Sequence, residues 1–120
     1  SKEGIERRTS FTLDSYRKKA REQVISHTRL TGLIELVSTL KKYGKVYLIR
    51  LPVHPELYQL EDRLSPHFNS LVNPAVSLAD GYLDFSGENH NYDYTDGVHL
   101  TSYENERIAE AIASMLNTIP

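Results

Sequence analysis

Cysteine and tryptophan are absent from the 120 residues, methionine occurs once, and glycine and proline number only six and five. The lack of cysteine excludes a disulfide scaffold, a thiolate nucleophile and any cysteine-ligated zinc. So few glycines and prolines exclude collagen and low-complexity repeats. No apolar run approaches the roughly 18 residues of a membrane span, and the first residues carry no signal-peptide stretch. Charge of one sign is missing too. Fourteen Lys and Arg face sixteen Asp and Glu, a formal charge of −2, which argues against nucleic acid as a partner. What is present is 39% hydrophobic and 25% charged residues, ordinary globular proportions. A chain of this size buries about two thirds of its unfolded surface, so a single domain is expected.

Residues 1–10 are polar and aperiodic and read as a flexible lead-in, with residues 11–120 as one α/β domain. From Leu13 the apolar residues Leu13, Tyr16, Ala20, Val24, Leu30, Leu33, Val37 and Leu40 recur at helical steps. Thr12 or Asp14 would cap that segment, Gly44 would end it, and Gly32 divides it; His27 falls on its apolar side as a core histidine. Lys45 to Leu51 (KVYLIRL) is a continuous β-branched and aliphatic run, the mark of a strand buried on both faces. Leu57, Leu60, Leu64, Phe68 and Leu71 predict two short helices, the second opening at Ser65-Pro66. Asn73-Pro74 reads as a break, Val76 to Leu78 as a weak third strand, and Gly81 to Ser86 as the second good one. A polar, aromatic loop follows. Thr101 with Glu104 then forms a capping box for a final helix whose face carries Ile108, Ile112, Met115 and Ile119. The alternation predicts an α/β fold: a parallel sheet with flanking helices in three layers, α/β/α.

The loop Gly87 to Leu100 (GENHNYDYTDGVHL) concentrates two His, two Asp and two Tyr. Loops at the carboxyl edge of parallel strands are where such folds hold their sites. Asp96 stands three residues before His99, with Gly97 between them to permit a turn. A carboxylate there can accept the imidazole Nδ1–H and leave Nε2 as a base, the base–orienter half of a Ser-His-Asp triad. The plainer alternative is an Asx-turn at Asp96 with His99 as a surface residue.

The segment YLDFSG, the polar loop, Y-T-D-G-V-H-L-T and the closing helix together resemble the last block of SGNH/GDSL-type hydrolases. That family places a D-x-x-H motif just before its C-terminal helix. KVYLIRLPVHPE is similar to the family's penultimate strand and proline-containing turn. The resemblance implies Asp96 as orienting acid and His99 as general base of an esterase or acyltransferase. It further implies a small-molecule or polysaccharide acyl ester as substrate, and neither cofactor nor metal. His54, His90, Asn91 and Tyr94 are then candidates for substrate contact, with Arg50 beside them.

The family's G-D-S nucleophile segment and its G-x-N-D oxyanion segment do not occur here. Among the serines present, Ser86-Gly87 comes nearest to a nucleophile position, yet nothing around it marks an elbow. The chain is therefore expected to be the C-terminal part of such a domain, lacking its N-terminal strands and inactive alone. Its open sheet should contact the missing half or a second copy. Two further readings stay open. His90, Asp93, Asp96 and His99 form an H-x2-D-x2-D-x2-H array that could ligate a metal. Tyr92, Tyr94, Tyr103, Asn89 and Asn91 could instead make the loop a carbohydrate- or protein-binding face of a non-catalytic module.

Overall fold

A computed structural model describes residues 1–21 and 26–118. Among them are five α-helices, α1 (Lys2–Ala20), α2 (His27–Leu40), α3 (Pro55–Leu64), α4 (Phe68–Leu78) and α5 (Ser102–Asn117). Two strands, β1 (Tyr47–Arg50) and β2 (Gly81–Asp84), and a 3-10 helix at Ser86–Asn91 complete the order. Val24 and Ile119, placed on helix faces by their spacing, lie outside the described residues.

The strands pair parallel, Tyr47 opposite Gly81 through Arg50 opposite Asp84, and no other strand joins them among the described residues. Asp80 anchors the entry to this pair. Its amide donates to the Val46 carbonyl, while its carboxylate accepts from the Val46 amide and from Lys41 Nζ. The expected three-layer α/β/α sandwich is thereby corrected: the molecule is mostly helical around a two-stranded sheet. The physical reason is a shortage of strand sequence. Val76 to Leu78, the third candidate, is the last turn of α4, where Val72 and Ala75 are buried one helical step apart. Pro74 does not break that helix but sits inside it, at the loss of one backbone hydrogen bond.

Residues 2–10 are also helical. Ser1 caps α1, its hydroxyl accepting from the Gly4 amide at 3.1 Å, so the helix begins well before Leu13. Gly32 lies within α2 rather than dividing a helix, and His27 is exposed at its first position. α1 packs on α3, and α2 on α4. α3 is started by Pro55 at its first position and by His54, whose ring Nδ1 accepts from the Glu56 amide at 3.2 Å.

One core cluster joins β2 to α5 through Leu83, Phe85, Tyr94, Leu100 and Ile108. Packing is otherwise thin. The Cα radius of gyration is 16.0 Å, against about 13.6 Å for a compact chain of this length. The accessible surface is 8355 Å², against about 6,600 Å² for a folded monomer of this mass. Leu36, Leu40, Ile49, Leu51 and Leu78 are among the large apolar side chains left exposed. No helix of the described residues is long and apolar enough to cross a membrane.

Because so few residues are fully buried, each matters. Leu57 on α3 is 1% exposed. Leu57→Ala should lower the unfolding free energy by about 2–5 kcal/mol, read as a fall in the urea midpoint at unchanged m-value.

Candidate active site

Tyr94 and Leu100 form an antiparallel bridge, and the Thr95 amide donates to the His99 carbonyl at 2.8 Å. Asp96, Gly97 and Val98 are thus the tip of a tight hairpin. Gly97 takes φ +93°, a region that disfavours any side chain, and a Cβ there would also lie 3.4 Å from Thr9 Cγ2 of α1. The Thr101 hydroxyl accepts the Glu104 amide, and the Thr101 amide donates to Asp93. Only half of the capping box forms. The buried Glu104 carboxylate turns instead to Arg107, at 2.8 and 3.0 Å.

Asp96 divides its two oxygens. Oδ1 accepts the amides of Val98 at 3.0 Å and His99 at 2.8 Å, while Oδ2 lies 2.8 Å from His99 Nδ1. The Asx-turn and the acid–imidazole pair, alternatives in the sequence, coexist in one carboxylate. Partial desolvation pushes the Asp96 carboxyl up. The hydrogen bonds from the His99 amide, the His99 ring and the Val98 amide outweigh it and bring the group down to about 2. An ionised carboxylate only accepts, so a neutral His99 must carry its proton on Nδ1 and present Nε2 as a lone pair. That ring is open: the His99 side chain is 76% exposed, the Asp96 side chain 28%.

The pair also carries a pH signature. Asp96 titrates below its ordinary 3.8 when folded, so its contribution to stability is complete above about pH 4 and is lost as pH falls towards 2. Urea midpoints measured across that interval should fall for the native chain more steeply than for Asp96→Asn, which has no carboxyl to protonate.

His54 stands directly behind the turn. Its backbone amide donates to the Gly97 carbonyl at 3.0 Å, and its ring meets the Tyr94 ring edge-on at 5.9 Å. Tyr94 is buried, with its hydroxyl donating to the Asn89 carbonyl at 2.7 Å. Burial first, then the neighbouring Tyr92 and Glu104, push that phenol up to about 12. Its hydroxyl is thus engaged within the fold. His54, His90 and Tyr94 all line one open cleft of about 950 Å³ between α1 and the 90–94 segment. Asn91 does not line it; it is exposed, and its carbonyl receives Arg107 at 3.5 Å. Arg50 is stacked 4.3 Å over Phe68 and lies 3.6 Å from Glu61.

Ser86 follows β2 but is buried. Its amide donates to Asp84 Oδ1 at 2.9 Å, and no hydrogen bond joins it to His99. His90, Asp93, Asp96 and His99 do not converge. Among the described residues no three His, Asp or Glu side chains form a group able to hold a metal ion.

Sequence reasoning found α1 only from Leu13 onward and missed its first half. Arg8 Nε donates to the Thr95 carbonyl at 3.2 Å, and Arg17 reaches Glu56 at 3.3 Å, so α1 walls the candidate site from residues far away in sequence. The first ten residues carry no apolar stripe that would have revealed it. Compared with protein-family models, with curated proteins and with solved structures, the chain matches none of them.

Proposed function

We propose that Asp96 and His99 are the acid and the base of a serine esterase or acyltransferase resembling the SGNH/GDSL hydrolases. The nucleophilic serine would come from outside these 120 residues. The observation that carries this reading is the 2.8 Å contact from Asp96 Oδ2 to His99 Nδ1, made by a carboxylate that stays ionised at neutral pH. His99 Nε2 takes the serine hydroxyl proton as the oxygen attacks the ester carbonyl carbon. It then returns that proton to the departing alcohol, leaving an acyl-enzyme. Water or an acceptor hydroxyl repeats the sequence in reverse, and the serine is restored. An acyl ester of a small molecule or polysaccharide is the substrate.

The free Nε2 is exposed, and so are the apolar side chains of Ile49 and Leu51 at the end of β1. Each feature favours cover by a second polypeptide surface, the serine-bearing segment or a second copy of the chain.

A fluorophosphonate probe tests the assignment. It should label a serine outside residues 1–120 when the chain is expressed with the coding sequence preceding Ser1, and His99→Ala should abolish that labelling. Labelling of Ser86, or labelling that survives His99→Ala, overturns the proposal.

A further inference from the structure

We infer that His54 is a positioning residue for the Asp96–His99 turn, and that it holds the turn only while its ring is neutral. The coupling bears on catalysis only if the esterase reading holds, but it needs no chemistry in order to exist. Three contacts meet in this residue. Its ring Nδ1 accepts the Glu56 amide at 3.2 Å and so caps α3. Its backbone amide donates to the Gly97 carbonyl at 3.0 Å, and a side-chain carbon on Gly97 would lie 3.9 Å from His54 Cβ. The ring also packs edge-on against Tyr94, whose bridge to Leu100 closes the hairpin. One imidazole thus serves the start of α3 and stands behind the backbone of the D-G-V-H turn.

The cap makes this hold sensitive to protons. A ring nitrogen accepts only through its lone pair, and protonation turns Nδ1 into a donor facing the Glu56 N–H, another donor. That amide, one of the unpaired amides of a helix start, loses its acceptor, and a cation is left at the positive end of the helix dipole. Only the Tyr58 amide, donating to the His54 carbonyl at 2.9 Å, then ties the residue to α3 by a hydrogen bond. The Gly97 carbonyl is released with it. Charged groups around the ring set the pH at which this happens. Glu56 on α3, Glu6 on α1 and Asp93 line the same cleft as His54 and favour the charged ring. Lys2 and Arg17 on α1 oppose it, as does His90 once protonated. Tyr92 and Tyr94, whose phenols are pushed up by burial, stay neutral throughout. The hold is therefore complete while the ring is neutral and is lost as pH falls through the titration of His54.

The test is an NMR pH titration of the 120-residue chain in which the ring signals of His54 and His99 are followed separately. The scalar coupling across the hydrogen bond from the His54 amide to the Gly97 carbonyl reads the hold itself. It should be present while the His54 ring is neutral and disappear as that ring takes up its proton, with the Val98 and His99 amides shifting in step. His54→Asn keeps a side-chain oxygen to cap α3 but does not titrate, so its coupling should persist across the same interval. His54→Ala keeps the backbone amide and lacks the acceptor, and it should lose the coupling already at neutral pH. If that variant does not fold, the native and His54→Asn titrations decide between them. A coupling that survives protonation of His54, that follows the ring of His99 instead, or that disappears equally in His54→Asn overturns the inference. No serine or ester enters the measurement. An active-site assignment that failed in turnover would leave this result standing, and the reverse holds too.

Discussion

His99→Ala should lower kcat for ester hydrolysis by about a million-fold in the polypeptide that carries the nucleophilic serine, with KM nearly unchanged. The magnitude follows from the two jobs the proposed mechanism gives Nε2. In the proposed mechanism it removes the serine proton in the first step and protonates the leaving alcohol in the second, and without it neither would have a substitute. The leaving group decides how much of the loss is seen. p-Nitrophenolate departs without a proton, so an aryl ester should show only the base component, about 10²- to 10⁴-fold, and an alkyl ester the whole effect. Stability should change little, because the His99 side chain is 76% exposed and buries almost nothing. Parallel kinetics on p-nitrophenyl acetate and an alkyl acetate check both statements. A loss below about tenfold on the alkyl ester removes His99 from the mechanism.

Asp96→Asn should cost about 10⁴-fold in kcat, and the division of labour within the carboxylate explains why. The backbone amides of Val98 and His99 both need an acceptor, so the asparagine carbonyl oxygen must take the place of Oδ1. Its NH2 group is then left facing His99 Nδ1, where Oδ2 stands in the native chain. A donor there makes Nδ1 an acceptor and moves the ring proton to Nε2, and the base points its lone pair the wrong way. The turn survives while the chemistry is lost. Nitrogen-15 NMR of the imidazole reads the switch directly in the 120-residue chain, with no need for the serine. Native His99 should be protonated on Nδ1 and the variant on Nε2. An unchanged tautomer in Asp96→Asn contradicts the orienting role of Asp96.

The sequence by itself determined what depends on neighbours a few residues apart. KVYLIRL contains β1, and Thr101 caps α5 as its spacing to Glu104 predicts. The D-G-V-H segment makes its turn and its acid–imidazole contact because Asp96, Gly97 and His99 lie within three residues of each other. Local hydrogen bonds need little help from the rest of the molecule.

Everything that required distant residues to meet was decided by the tertiary structure. The number of strands is a matter of non-local pairing, and with only two good runs a three-layer sandwich does not form around them. α1 extends to Lys2 because a serine cap and contacts with Thr95 and Glu56 hold a segment whose own pattern is weak. The cleft exists only where that helix meets His54 and the 90–94 segment, parts of the chain up to 92 positions apart along the sequence. Absence of cysteine removed thiolate chemistry and cysteine-ligated zinc, and nothing more. Which imidazole meets a carboxylate and which caps a helix is set by partners: His99 Nδ1 faces Asp96, and His54 Nδ1 accepts from the Glu56 amide.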